Sequence, residues 1–544
     1  MFKFILVAVI FVLTPFLFAQ NQNNQWRFGG GVGISFNSSN PVFVTGSALS
    51  SPEGVASIAD RNSGSLLFST NGVTVWDATN NLMQNGSGLL GGTPLLLSST
   101  SAAVITPMPG STTKYYIITI DEQTSSNGIR FSVVDMTLNG GLGAVVSDQK
   151  NTLLWNTTSE KLHVVPNSDG LGYWLLSHQT VGNSFLAFKI TSSGISQTPI
   201  ISTIGGTQGN GAGHIKVNKQ FNKLAIGNLF DGNIELYNFN NLTGEVSNPI
   251  IWKTAPGFSL TYGIEFSPNG SKLYVSDLTQ VYQYDISIDE ASTIKNSEYL
   301  VSSNNGATIQ LGINNKIYIN AGTIDVINCP NNQGVNCDYQ QAIFANQSGG
   351  GGYGLPQWVY YPDDKPLTSE LVISFVDSCI ENGTFLSIND TNEVTSILWN
   401  FDDALSGGNN TSDLFSPFHI FSKTGTYNIK LIIENPCGLD TVYQTISIIN
   451  CSNNNNTNFD SGAPNVLTPN GDGINDRFVL SNLVENTELL VINRWGNLIF
   501  SSDNYENDWA GKDESGKDLV DGVYLFQLKN PNGFTEHGFV HIFH

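Results

Sequence analysis

The sequence predicts an all-β protein, and three observations carry that expectation. The composition does not suit a helical bundle: of 544 residues only 12% are charged and 4 are Met, whereas 55 are Gly, 31 Phe and 18 Tyr. Helices favour Ala, Glu, Lys, Leu and Met, while aromatic and β-branched residues spaced by Gly, Asn and Ser suit pleated strands and tight turns. One strand-turn-strand theme recurs along much of the chain, and elsewhere apolar and polar positions alternate, as in Tyr427 to Ile433, the mark of half-buried strands. At about 100 to 200 residues per domain, the length asks for three or four domains.

The first element reads as an export signal. Lys3 precedes an apolar run, Phe4 to Phe18, broken only by Thr14 and Pro15, and Ala19 places a small residue at a cleavage point. A run of about 15 residues falls short of the roughly 20 a membrane-spanning helix needs, so residues 1–19 read as a secretory signal peptide rather than an anchor. No Cys stands beside the cut to take a lipid, and no later run is long enough to span a bilayer.

From Trp26 to Tyr361 a short apolar strand, a Gly/Asn turn, a second strand and an aromatic-rich third recur. The clearest copies are 214–240, 262–288 and 308–328, with looser ones at 56–83, 102–136 and 161–194. A spacing of about 45 to 55 residues is the period of β-propeller blades. Six copies and the ends count seven blades, with 26–36 and 355–361 expected to share one blade and so close the ring without exposed edges. Trp26-Arg27-Phe28-Gly29, the hairpin Phe266-Ser267-Pro268-Asn269-Gly270 with Lys272-Leu273-Tyr274, and Lys316-Ile317-Tyr318 before Cys329-Pro330 resemble the propeller-like regions of large secreted proteins that end in sorting modules.

Residues 367–450 hold Ile397 to Asp403, Pro417 to Phe421 and Gly425 to Leu431, which together resemble a PKD domain, an immunoglobulin-like β-sandwich. Trp399-Asn400-Phe401-Asp402-Asp403 stands where that family has Trp-x-Phe-Gly-Asp, so Asp402 replaces a glycine at a turn. The resemblance implies a spacer or weak binding unit with Trp399 in its core. Residues 451–461, Asn-rich and without apolar periodicity, read as a linker.

The most specific motifs lie in 462–544. Pro469, Asn470, Gly471, Asp472, Gly473, Asn475 and Asp476 form one loop; Arg494, Trp495 and Gly496 mark a hairpin turn; Trp509 with Gly511, then Asp521, Gly522 and Tyr524, complete the series. In this order they resemble the gliding motility-associated C-terminal domain, the type B sorting domain of the type IX secretion system. The resemblance implies a small β-sandwich read as an address by the type IX machinery of Bacteroidota, which carries the chain to the medium or cell surface after Sec-dependent export. Asn470 to Asp476 also alternates oxygen ligands with Gly as calcium loops do, but it lacks the bidentate Glu at the twelfth position, so an Asx turn is preferred to bound Ca2+. No other cofactor is expected.

Five cysteines in an exported chain read as disulfides. Cys329 with Cys337, around a short polar loop, and Cys379 with Cys437, in one domain, are the expected pairs, leaving Cys451 over. Enzyme signatures are missing: neither His-Glu-x-x-His, Gly-x-Ser-x-Gly nor a phosphate loop occurs. Gly86 to Gly91 matches Gly-x-Gly-x-x-Gly, but Pro94 follows where a helix should start. His163, His178 and His214 are dispersed and read as turn or core residues. Asp121-Glu122 and Asp363-Asp364 read as solvated turns, since neighbours on a strand face opposite ways; an acid pair assembled from different blades stays open.

A net charge of -22, 45 acids against 23 bases, excludes nucleic acid as a partner. The module order, without a catalytic signature, points to a secreted or cell-surface binding or adhesion protein with an extracellular glycan or protein ligand. The alternative is a secreted polysaccharide- or protein-degrading hydrolase or lyase, for which a deep central pocket with convergent carboxylates would argue and a filled channel would not.

Overall fold

The computed structural model describes residues 21–92, 99–122, 127–156, 159–180, 182–208, 211–229, 232–253, 260–303, 306–320, 322–344, 352–364, 366, 372–376, 378–380, 383–388, 394–450, 461–471, 475–493, 498–513, 516–531 and 535–543. The expected signal peptide, 1–19, and most of the linker lie outside them. The protein is all-β, 48% strand against 6% helix.

The first half and more of the chain is a succession of antiparallel meanders. Gln25–Phe28, Gly30–Ser35 and Val42–Ser50 form the first sheet. A nine-stranded sheet follows, made of two meanders that start at Ala56–Ala59 and Ala103–Pro107 and meet through one parallel pairing, Ala144 with Gln84. Further sheets start at Leu162–Pro166, Ile215–Val217, Ile264–Phe266 and Thr308–Leu311. Each of these leading strands touches the leading strand of the next meander. The cycle closes where Trp26 of the first sheet and Phe36 just beyond it each meet Tyr318 of the last, ring centroids 5.5 Å apart. Leading strands are buried on both faces, which is why they read as near-continuous apolar runs, whereas an outer strand such as Val42–Ser50 is exposed or half-buried at every position but Leu49.

Residues 355–361 do not join the first sheet, as the sequence suggested. Segment 352–361 has no strand pairing and runs past the leading strands instead, as a strap through the centre of the ring. Asn23 brackets Val359, donating to its carbonyl at 2.9 Å and accepting its N–H at 2.8 Å; Asn320 donates to Gly354 O at 3.0 Å, and Gln357 to Leu162 O at 2.8 Å. Side-chain amides replace a ladder here, and Pro356 has no N–H to give one. Leu355, Trp358, Val359 and Tyr360 are buried, each within one of three hydrophobic clusters of the ring. An apolar run at the centre of a ring is satisfied on all sides by packing, so its apolarity does not make it a strand.

Beyond the ring, Ile373–Val376, Thr384–Ile388 and Phe418–His419 form one sheet, and Thr411–Ser412, Ser396–Asn400, Gly425–Asn435 and Gly438–Ile448 another. Tyr427, Ile429, Leu431 and Ile433 all point into the core with Trp399, as their alternation requires. Trp399 is fully buried, its Nε1 donating to Leu414 O at 2.9 Å. Asp402 has φ +59, the left-handed backbone for which glycine is the easy residue, and its carboxylate compensates by accepting the Asn428 N–H at 2.9 Å.

The disulfides differ from expectation. Cys329 pairs with Cys437, Cα atoms 5.4 Å apart and 108 residues apart in sequence, so neither Cys329–Cys337 nor Cys379–Cys437 forms. Cys337 is a buried free thiol against Tyr274, its pKa pushed up to about 11 by burial; Cys379 is disulfide-bonded, and Cys451 lies outside the described residues. The cause is tertiary: the turn carrying Cys437, between the two long strands of the second module, docks on the ring loop, where Asn332 Nδ2 donates to Cys437 O at 2.9 Å. The bond therefore ties the ring's last sheet to the second module.

Candidate functional site

Three consecutive leading strands carry one polar residue between two apolar ones in the same register: Lys216, Glu265 and Gln310. Their side chains converge. Lys216 Nζ lies 3.2 Å from Glu265 Oε2 and 2.5 Å from Gln310 Oε1, and Glu265 Oε2 also accepts the Leu311 N–H at 3.1 Å. His163, at the matching place of an earlier leading strand, faces Gln357 of the strap, Nδ1 3.0 Å from Oε1. Lys219 is buried with its Nζ 2.9 Å from the Trp358 ring centroid, and burial drives its pKa well below the ordinary lysine value. These residues line a cavity of about 10 Å³. That holds about one water, whereas ligand pockets run to about 300–1,000 Å³.

The end of the ring where the leading strands begin collects carboxylates from three successive meanders. Glu160 accepts the Thr100 N–H at 2.9 Å and the Thr100 hydroxyl at 2.7 Å. Glu53 is pushed up to about 8 by burial first, then by repulsion from Glu160 and Glu122. It therefore keeps its proton near neutral pH, and Tyr262 is buried beside Glu53 and Glu160. Among the described residues, no group of three His, Cys, Asp or Glu side chains is placed to hold a metal ion.

Neither predicted acid pair is a simple solvated turn. Asp121 is buried and accepts from Asn127 Nδ2 at 2.5 Å. Asp364 is buried too, accepting the Tyr361 N–H at 2.8 Å and an Arg61 N–H at 3.3 Å, while Asp363 takes Arg61 at 3.0 Å on the surface. Neither pair lies on a strand, so alternation does not apply; in each pair one carboxylate is buried and bonded to its own chain, and Asp364 holds the end of the strap. His163, His178 and His214 are core residues, lowered to about 3, 4 and 3 by burial and so neutral at physiological pH.

The C-terminal domain is one five-stranded sheet, ordered Val466–Leu467, Thr535–Ile542, Gly522–Lys529, Glu488–Asn493, Leu498–Ser502. The expected hairpin and last strands are present, with Arg494, Trp495 and Gly496 outside the described residues, as are Asp472 and Gly473. Asp476 accepts the Gly471 N–H at 2.7 Å, and Thr468 donates its N–H to Asn475 O at 2.7 Å, while the Asn470 N–H reaches Thr468 O at 2.7 Å just after Pro469. Trp509 is buried, its Nε1 donating to Lys512 O at 2.8 Å; Tyr524 is buried with its hydroxyl donating to Val520 O at 3.0 Å, past exposed Asp521 and half-buried Gly522. Gly511 has φ +69, and a Cβ there would press on Leu467 at 3.2 Å. Motif residues thus build the inner side of this sheet and the loops that cover it. Residues 461–542 match the CHU_C Type IX secretion signal domain.

A type IX secretion signal domain implies export to the medium or cell surface and contact with the type IX machinery. No helix of the described residues is long and apolar enough to cross a membrane. No curated protein matches the chain. Among solved structures, the PKD1 domain of Vibrio anguillarum Epp is 14% identical over 15% of this chain and 93% of its own, TM-score 0.13. A putative 6-phosphogluconolactonase from Bacteroides uniformis is 11% identical over 54% of this chain and 94% of its own, TM-score 0.32. The periplasmic gluconolactonase of Pseudomonas aeruginosa is 12% identical over 62% and 96%, TM-score 0.32.

Sequence reasoning missed Lys216, Glu265, Gln310, Lys219, Glu53 and Glu160. For the first three a signal existed: a polar residue at the centre of an apolar strand, at one register in successive repeats, must face the ring's centre. Lys219, Glu53 and Glu160 sit at strand ends, where nothing in the pattern distinguishes them from loop charges.

Proposed function

We propose that the chain is a secreted or cell-surface binding protein: a seven-bladed propeller that engages an extracellular glycan or protein, a PKD-like sandwich that spaces it, and the signal domain that gets it out of the cell through the type IX machinery. The observation that carries this reading is the filled axis. Strap 352–361 leaves a cavity of about 10 Å³, so ligand contact falls to the mouth and outer loops. The test is a glycan and protein binding screen with the full mature chain. Retained, saturable binding without turnover is expected; turnover of a bound polymer would overturn it. Removal of 462–544 should hold the chain in the periplasm whatever the propeller binds.

The hydrolase or lyase reading draws support from one observation, Glu53 pushed up to about 8 by burial and by repulsion from Glu160 and Glu122 at the mouth, since a carboxyl that keeps its proton near neutrality suits a general acid. Under that reading Glu53→Gln and Glu160→Gln each abolish turnover of a polysaccharide or protein substrate while leaving the melting temperature intact. Binding that survives both substitutions, with no turnover in the parent, rejects it.

A further inference from the structure

We propose that the outer face of the signal domain's sheet is the surface through which a protein of the type IX machinery reads the domain, centred on the row Ile492, Leu525 and Phe539. The proposal rests on the secretion reading of residues 461–542 and adds where on the domain recognition occurs.

Register divides the sheet cleanly. On the inner side Val491, Phe526 and Gly538 lie opposite one another, as do Leu489 with Leu528 and Tyr524 with Val540. Phe526 lies over Gly538, where a Cβ would stand 2.4 Å from the ring, and Phe478, Tyr505 and Trp509 complete this core. Motif residues Trp509 and Tyr524 are therefore spent on folding, and a reader outside cannot touch them.

On the outer side the rows are Glu488 with Lys529, then Leu490, Gln527 and His537, then Ile492, Leu525 and Phe539, then Val523 with His541. Phe539 is 47% exposed, Phe543 46% and Val523 40%, and the His541 and Phe543 rings meet at 5.0 Å. The charges in these rows are the Glu488–Lys529 pair, 3.3 Å apart, at one end. Among the described residues of these rows, a chain of net charge -22 thus presents apolar side chains and two imidazoles, with Glu488 and Lys529 as the charged pair. An anionic lipid surface selects basic clusters, and the described rows hold none. A protein surface with an apolar centre and hydrogen-bonding rim fits it, and a domain that serves as a secretion signal must be met by a protein reader.

The test uses the full chain expressed in a type IX-competent bacterium, with export scored as the ratio of surface plus medium to periplasm. Leu525→Thr with Phe539→Thr keeps strand-forming residues at a half-buried and an exposed position and should leave the domain's melting transition in place. Export is expected to fall at least tenfold, while Glu488→Ser with Lys529→Ser at the charged end exports normally. Should the double variant lower the transition, Phe539→Thr alone supplies the same comparison. Normal export of the folded variant, with a chain lacking 461–544 retained, overturns the surface and leaves the signal reading standing; export of the truncated chain overturns the signal reading itself. A concentration-dependent dimer of the purified chain, abolished by the double variant while export is unchanged, assigns the face to a second copy and also overturns the proposal.

Discussion

The ring and the signal domain face the same problem, what to do with the two faces of a sheet, and answer it in opposite ways. In the ring, leading strands are buried on both sides and the space between them is filled by strap 352–361, down to a cavity of about 10 Å³. In the signal domain, loops carrying Phe478, Tyr505 and Trp509 cover one face while Val523, Phe539 and Phe543 stay exposed on the other. The difference teaches how each region spends its sheet faces: the ring gathers Glu53, Glu122 and Glu160 at its mouth and packs its axis, while the signal domain leaves one sheet face bare.

The axis gives the most forceful way to break this contrast. Lys216→Ala strands Glu265 without its cation in the interior and should cost about 3–5 kcal/mol in urea unfolding, whereas Lys216→Met with Glu265→Leu removes both charges and should cost less. The double variant still leaves Gln310 Oε1 and the Leu311 N–H without these partners, so its cost stays above zero. Trp358→Ala empties the strap's largest anchor and should cost about 3–5 kcal/mol. If either single variant melts like the parent, the axis is not packed as described. Next comes the tie between regions. Cys437→Ser should lower stability by about 2–4 kcal/mol, and peptide mapping of the parent should find Cys329 linked to Cys437. A Cys329–Cys337 link would detach the second module from the ring. A smaller effect is expected at the mouth. Because Glu53 is raised in the folded state, the unfolded chain releases this proton first, so stability falls as pH rises from about 4.5 to about 8 and then levels off. Glu53→Gln should flatten that slope; an unchanged slope would place the proton elsewhere.

Much of the fold was legible because periodicity is local. Alternation at Tyr427 to Ile433 fixed which face of that strand is buried, and the recurrence of strand-turn-strand hairpins placed most leading strands. What escaped was decided by partners far away in sequence. Residues 355–361 look like a strand by apolarity, yet the chain takes them through the ring's centre, where Asn23 and Gln357 supply the hydrogen bonds a ladder would have given. Cys329 and Cys337 close the shorter loop, and their backbones do hydrogen-bond, Cys329 N–H to Cys337 O at 2.9 Å. The thiol of Cys337 nonetheless lies against Tyr274 in the ring's interior, and a turn from another module brings Cys437 to Cys329. Among the C-terminal motif residues, Trp509, Gly511 and Tyr524 sit in the core and are recognisable from the packing they serve, while Ile492 and Leu525, within the same motif segments, stand on the outer row with Phe539.

The second module sharpens the comparison with the smallest effect, since it buries a titratable pair without sealing an axis. Asp403 accepts from His419 Nε2 at 3.1 Å, the Ser422 N–H at 2.8 Å and the Ser422 hydroxyl at 3.0 Å. Burial alone would raise this carboxyl, but these donors outweigh it and hold it below the ordinary aspartate value. Its contribution is therefore complete above the unfolded value of about 3.9 and disappears as pH falls through the folded value. His419 is lowered chiefly by burial, so the unfolded chain takes up its proton first, and stability also declines as pH drops below about 6.5, the unfolded value. Two windows follow, an imidazole window nearer neutrality and a carboxyl window in acid. In thermal melts followed through Trp399 fluorescence, with the other tryptophans replaced by phenylalanine, Asp403→Asn should erase the acid window, and His419→Gln the one nearer neutrality. If both windows persist in both variants, the pair does not govern the module's acid sensitivity, and the hydrogen bonds to Ser422 act only to shape the turn.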